Sequence, residues 1–245
     1  MISSLLTKLT TSKSWSTDDS PQLWKGIIED PSLFVTWKDV EHCLNNPWFY
    51  DMKFIGRNTN DILNYPRWRR IWSDPPCCEQ EIFMDMFTDG HTLIVNNAEF
   101  ISRKNQEILK EIEKYFPRVL AAMHIYTNWL PSTSFRIHED LAQNFILQVD
   151  GNTHWTVYNN RSSQLMGQEQ YCPIPPEDMD VAIDTVLTPG DMLYIPARCW
   201  HYAQPTEKRL SLSIPMQDLI IPISDEEMPH IKKIDRNYYE LPGTN

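Results

Sequence analysis

The run His138-Glu139-Asp140 carries the residue types best suited to chemistry. On an extended strand, residues two apart point to the same face, so His138 and Asp140 project together and Glu139 points away. A neutral imidazole beside a carboxylate supplies two metal ligands, and a third must come from elsewhere in the chain. His201, which follows Pro189-Gly190-Asp191 and directly succeeds Trp200, is the candidate. Two histidines and one carboxylate on one face of an octahedron leave three positions open. Non-haem Fe(II) centres use that arrangement to admit a cosubstrate and dioxygen together. Taken alone, the same residues leave a plainer reading open: a surface histidine beside an acid, and an imidazole packed on Trp200. His42, His91, His124 and His230 have no second ligand at metal spacing, and the chain contains no phosphate loop, nucleophile elbow or zinc-finger spacing.

Three ligands from distant parts of the chain need a scaffold that converges them. From Val119 onward, short apolar stretches at 122–129, 135–140, 144–149, 153–158, 183–187, 192–196 and 209–214 alternate with turn signals. Asp150-Gly151-Asn152 and Pro189-Gly190-Asp191 read as hairpin turns. Many short strands between evenly placed turns indicate a mainly β protein, an antiparallel sandwich or barrel, of which the double-stranded β-helix (the cupin-like jelly roll) is one form. Upstream, a strand over 91–95 follows the turn pair Asp89-Gly90. Ser102 then precedes an amphipathic helix through Tyr115, with Ile108, Leu109, Ile112 and Tyr115 at helical spacing and Pro117 ending it.

Residues 21–75 hold Trp24, Phe34, Trp37, Trp48, Phe49, Trp68 and Trp72 among charged residues, broken by Pro47, Pro66, Pro75 and Pro76. A short helix is expected over 36–44, capped by Thr36. Aromatics so arranged are core or a packing flange far more often than a binding site. The segment 159–180 is polar and proline-rich, a surface loop between strands. The expected organisation is an N-terminal helical or irregular extension over 1–85 packed on the barrel or against a second copy of the chain, a cupin-like barrel over 86–222, and a charged tail over 223–245.

The formal net charge of -11 disfavours nonspecific contact with nucleic acid or an anionic membrane. Five cysteines, an odd number with no metal-ligand spacing, read as reduced thiols in a cytoplasmic protein. The polar first fifteen residues do not read as a signal peptide, and no run of about 18 apolar residues suggests a membrane span.

The runs HEDLAQNFILQVDGNTHWTVY (138–158) and LTPGDMLYIPARCWHYAQPTEKRLSLSIP (187–215) resemble the JmjC-type 2-oxoglutarate oxygenases. FTDGHTLIVNNAEF (87–100) and IYTNWLPSTSFRIHED (125–140) extend the resemblance to residues 85–215. The similar branches are the ribosomal oxygenases and the asparaginyl hydroxylase of hypoxia-inducible factor. The resemblance implies Fe(II) held by His138, Asp140 and His201, with 2-oxoglutarate as cosubstrate and succinate as coproduct. It places Asn144 near the cosubstrate, and Tyr126 and Asn128 on a strand that turns polar groups toward the pocket. Gln148 and Gly151 match the following strand and turn, and Trp200 the aromatic before the distal histidine.

One position departs from that family. These enzymes carry Lys or Arg thirteen residues after the metal carboxylate, to pair the distal carboxylate of 2-oxoglutarate; here that residue is Thr153. A hydroxyl cannot supply the charge-assisted bond that a desolvated carboxylate requires. Either another cation takes its place or the cosubstrate differs. Arg209, Ser211 and Ser213 alternate on one strand and so share a face. Arg-x-Ser after the distal histidine resembles the cosubstrate motif of other branches, so Arg209 with Ser211 is the candidate, His154 the lesser one, and a solvated Arg209 beside Lys208 the plain alternative. The implied substrate is an amino-acid side chain in a protein or peptide, or a free amino acid. The rivals are a metal-binding cupin without oxygenase activity, an iron enzyme that does not use 2-oxoglutarate, and a tRNA-base hydroxylase, which the acidic charge disfavours.

Overall fold

Strand-period patterning in the second half of the chain folds into two facing antiparallel sheets. The computed structural model describes residues 19–218, apart from 48, 58, 60, 64–67, 71–72, 78, 116–118, 134, 163–171 and 173–174; for 68–70, 73–77, 115 and 217–218 it describes the backbone alone. The tail over 223–245, Trp48, Trp72 and the side chain of Trp68 therefore lie outside the described residues. In chain order the elements are β1 (Gln22–Trp24), α1 (Trp37–Asn45), β2 (Asp51–Ile55), β3 (Trp68–Arg70), β4 (Ser73–Cys77), α2 (Gln80–Thr88), β5 (Thr92–Asn96), α3 (Arg103–Tyr115), β6 (Val119–Ala121), β7 (His124–Asn128), β8 (Gln143–Asp150), β9 (Thr153–Arg161), β10 (Val181–Leu187), β11 (Met192–Ile195), β12 (Cys199–Pro205) and β13 (Arg209–Asp218). The larger sheet runs β1-β11-β8-β13-β7-β5-β2, with β6 also on β13; the smaller runs β10-β9-β12; β3 and β4 form a separate hairpin.

The chain passes from the larger sheet to the smaller between β8 and β9, and back between β10 and β11. Asp150-Gly151-Asn152 and Pro189-Gly190-Asp191 are therefore corners between sheets, not the hairpin turns their sequences suggest. Both glycines have positive φ, 70° at Gly151 and 92° at Gly190. A Cβ at Gly151 would lie 1.9 Å from the Lys208 carbonyl oxygen, and one at Gly190 would lie 2.4 Å from that of Ile28. Only glycine fits corners this tight.

The larger sheet is covered on both faces. Outside, Phe54, Leu93, Val95, Ile125 and Leu212 pack with Val40, Phe83 and Ile108 from the helices; between the sheets, Ile146, Trp155, Val157, Leu193 and Ile195 form a second cluster. α1 starts where expected: the Thr36 N–H and hydroxyl both donate to Asp39 Oδ2, at 2.7 and 2.8 Å. Ser102 precedes α3 and its Oγ accepts from the Asn105 N–H at 3.1 Å; Ile108, Leu109 and Ile112 of the helix are buried.

The N-terminal extension carries strands as well as helices. β1 pairs with β11 and β2 with β5, so the extension supplies both edges of the larger sheet. The unanticipated α2 runs across the expected division at residue 85. Its aromatics do pack on the barrel: Trp24 lies 6.2 Å from Phe145 and Trp37 5.8 Å from Trp129, between ring centroids. Phe49 does not, and is 76% exposed. Two other expectations shift. The ligand run 135–140 forms no regular strand, and only His138 makes a bridge, to His201. Conversely β12, which carries His201, has no strand signal in the sequence, because Tyr202, Gln204 and Pro205 interrupt its apolar pattern.

Candidate metal centre

The two histidines meet because their backbones are paired. The His138 N–H donates to the His201 carbonyl at 3.1 Å, and the His201 N–H returns a bond to the His138 carbonyl at 2.9 Å. The rings stand 4.2 Å apart between centroids. The Arg136 carbonyl lies 2.8 Å from His138 Nδ1, and the Cys199 carbonyl 2.9 Å from His201 Nδ1. In both cases the carbonyl two residues upstream accepts the Nδ1 proton. That fixes the tautomer and leaves each Nε2 lone pair free to ligate. Asp140 Oδ2 lies 3.7 Å from His201 Nε2, and one ligand atom from each of His138, Asp140 and His201 falls within 4.8 Å of the others. Burial, then the neighbouring His201, push the His138 imidazole down to about 4, with Asp140 opposing. His138 is therefore in its neutral, metal-ready form at physiological pH.

Asn144, on β8, directs its amide toward Asp140 Oδ2 at 3.5 Å and accepts from the Ser213 hydroxyl at 2.9 Å. The carboxylate is thus steered from two strands of the larger sheet. Trp155, in the core between the sheets as the sequence suggests, also lines the site and stacks on His201 at 6.1 Å with 27° between planes.

The triad opens into a cavity of ≈ 490 Å³, its mouth included, with Phe135, Ile146, Trp155 and Ala203 as apolar wall and Tyr126, Asn144, Arg209, Ser211 and Ser213 as polar wall. Arg209 begins β13 and is 2% exposed. β13 alternates: Arg209, Ser211 and Ser213 line the cavity while Leu210, Leu212 and Ile214 pack in the large core. Among the described residues no carboxylate pairs with Arg209, and its buried Nε has no hydrogen-bond partner. Burial pushes the guanidinium down to about 10, with Tyr126 opposing, so it remains a cation. Burial likewise pushes the Tyr126 phenol up, so it remains a neutral donor. The solvated alternative for Arg209 does not hold.

Other sequence candidates sit elsewhere. Asn128 is buried but outside the cavity wall; its Nδ2 donates to the Leu130 and Glu207 carbonyls at 2.6 and 3.2 Å, closing the approach to β13. Thr153 is fully buried and also outside the wall. His154 points outward, pairing with Asp184 and lying 3.2 Å from Gln204 Oε1. Trp200 is buried behind the triad with Tyr158 and Met179. Gln148 accepts from Ser211 at 2.9 Å and donates to the Asp150 and Gly151 carbonyls, bracing the corner. Phe135, Ile146 and Ala203 carried no sequence signal for a role in the wall.

Two facing antiparallel sheets around a two-histidine, one-carboxylate cluster define a cupin-type double-stranded β-helix with a candidate metal centre. The JmjC domain family matches residues 94–220, more than half of the 245-residue chain; the chain belongs to that family. Ribosomal oxygenase 1 of Danio rerio is 25% identical over 139 residues, covering 56% of this chain and 25% of that protein. The bifunctional lysine-specific demethylase and histidyl-hydroxylase NO66 of Drosophila yakuba is 23% identical over 204 residues, covering 79% of this chain and 28% of that one. Among solved structures, Escherichia coli YcfD superposes with a TM-score of 0.61 at 16% identity, covering 98% of this chain and 61% of that chain. YcfD in complex with cobalt and 2-oxoglutarate gives 0.60 at 17%, covering 98% and 60%. The chain thus spans about a quarter of these curated relatives and about three fifths of YcfD. No helix among the described residues is long and apolar enough to cross a membrane.

Proposed function

We propose that this chain is the catalytic barrel of an Fe(II)- and 2-oxoglutarate-dependent oxygenase that hydroxylates an amino-acid side chain in a protein or peptide. One observation carries the reading: a buried cation without a carboxylate partner, Arg209, shares a cavity with a two-histidine, one-carboxylate cluster. A buried cation left in this state is costly unless an anion joins it. A dicarboxylate that chelates the metal at one end and meets Arg209 at the other satisfies both groups.

The residues fit the metal. His138 and His201 would hold it through Nε2 and Asp140 through a carboxylate oxygen, a donor set suited to Fe(II) with three positions left open. Iron, when bound, supplies dioxygen activation and the oxidative decarboxylation of 2-oxoglutarate to succinate, with one oxygen atom passed to a substrate C–H bond. The protein does the rest. Arg209 binds the distal carboxylate bidentately, with the Tyr126 phenol adding a hydroxyl, while Ser211, held by Gln148, lines the wall beside it. Asn144 orients Asp140. Phe135, Ile146 and Trp155 keep water from the reacting end.

A protein or peptide side chain as substrate is supported by the names of the relatives, a histidyl-hydroxylase and ribosomal oxygenases. A cytoplasmic location is our reading of the five cysteines without a pairing pattern. The test is turnover: Fe(II)-loaded protein in air, supplied with 2-oxoglutarate and a panel of peptides and amino acids. The reading predicts succinate formation and a product 16 Da heavier; no succinate with any member, and none uncoupled, would contradict it.

A further inference from the structure

Glu139 stands between two metal ligands and takes no part in the cavity. It is 3% exposed, and its Oε2 lies 2.7 Å from Arg198 Nε. A carboxylate is rarely buried so deeply without a reason, and a lone one would be strongly unfavourable. Arg198 has a peculiarity of its own: φ is 67°, a left-handed conformation that a residue with a Cβ rarely adopts. Glycine would serve that turn with less strain, so the arginine side chain must offset the difference.

Its contacts show how. The Arg198 N–H donates to the Asp140 carbonyl at 2.8 Å, and its carbonyl accepts from the Ser162 N–H at 2.9 Å. Its Nη2 donates to Ser162 Oγ at 3.0 Å. One residue therefore ties the ligand run 138–140 to the end of β9 and to the turn that leads into β12. That run has no regular strand to hold its alternation; its ordered pairings are the His138–His201 bridge and the bond from Arg198.

We propose that the Glu139–Arg198 ion pair is a positioning lock for the metal centre, holding the backbone between His138 and Asp140 at the rotation that turns both ligands to one face. Neither residue touches the metal or substrate; both act through the ligands flanking Glu139. If the pair is broken, Glu139 is free to swing toward water. Its peptide rotates, and the two neighbouring ligands leave their common face. This inference rests on the reading of His138, Asp140 and His201 as metal ligands.

The test is a Co(II) titration of the metal-free full chain, followed by the visible d–d bands of the cobalt protein, with thermal unfolding of each variant alongside. Arg198→Gly is the central variant. It keeps the backbone N–H and relieves the left-handed strain, so it isolates the guanidinium. The lock predicts that Arg198→Gly weakens Co(II) affinity by about ten- to a hundredfold, the usual effect of losing support around metal ligands. It also predicts altered d–d bands and partial recovery in Arg198→Lys. Should Arg198→Gly fail to fold, Glu139→Gln, which keeps shape and removes charge, is read the same way, with a several-fold loss expected. Wild-type affinity and bands in the folded variant would overturn the lock. Failure of the wild-type chain to bind Co(II) would instead remove the metal centre itself, and the lock with it.

Discussion

The two ends of the cavity are built under different rules. At the metal end, three residues from two chain segments converge, each with its own support: carbonyls of Arg136 and Cys199 on the imidazoles, and Asn144 beside Asp140. At the other end a single buried cation, Arg209, stands on β13, while the family's usual position on β9 holds Thr153. A metal fixes the number and geometry of its ligands, so its end tolerates little redesign. A carboxylate asks only for a cation within reach in a dry site, and either wall of the barrel can provide one.

Breaking the metal end should have the largest effect. His138→Ala or Asp140→Ala is expected to abolish turnover and reduce metal binding to background, with circular dichroism unchanged; a titration with Co(II) checks this. Next is Arg209→Ala. Leaving a buried carboxylate unpaired costs roughly 3–5 kcal/mol, which corresponds to a rise in the 2-oxoglutarate dissociation constant of about two orders of magnitude or more. Calorimetry on the metal-loaded protein should show that rise with metal affinity unchanged. Moving the charge sharpens the contrast: Thr153→Lys in an Arg209→Ser background should recover part of the lost affinity if the two walls are interchangeable. Thr153→Ala alone removes one hydroxyl and should change affinity by on the order of 1 kcal/mol at most.

A smaller effect concerns pH. The folded value of His138, about 4, lies below its ordinary 6.5, so between these values the unfolded chain binds more protons. Metal-free protein should lose stability as pH falls from about 6.5 to about 4, measured as the urea midpoint. His124, which burial also pushes down, adds to the same slope, so His138→Asn should flatten it only in part. The smallest effect is at Lys208, next to Arg209. Its ammonium sits 5.2 Å from the Trp37 ring and 5.6 Å from that of Trp129, on the outside. Lys208→Ala should cost about 0.5–1 kcal/mol of stability and leave 2-oxoglutarate affinity unaltered.

The sequence carries the metal end almost completely. His-x-Asp spacing, a distal histidine and short alternating strands are local signals, and the structure brings those three residues together. The inward placement of Arg209 was legible through strand alternation with Ser211 and Ser213. What could not be read were features that depend on which strands face each other. Asn128 lies on the same strand as Tyr126, yet its amide is spent on the Leu130 and Glu207 carbonyls. Trp155 is core on β9 as its pattern suggests, but pairing with β12 in the same sheet also sets it against His201. The corners at Gly151 and Gly190 use hairpin residues because a sheet crossing needs the same positive φ as a hairpin. β1 and β2, too short and irregular to stand out, become visible only through their pairing with β11 and β5.

The account turns on one cosubstrate spanning both ends of the cavity. The direct measurement is an anaerobic titration of the Fe(II)-loaded protein with 2-oxoglutarate, followed in the visible. A metal-to-ligand charge-transfer band should grow in and saturate in the wild-type chain. In Arg209→Ala the same band should form only at about a hundredfold higher concentration, the ratio that roughly 3 kcal/mol implies. No band in the wild-type chain, or one that saturates identically in both proteins, would contradict the account.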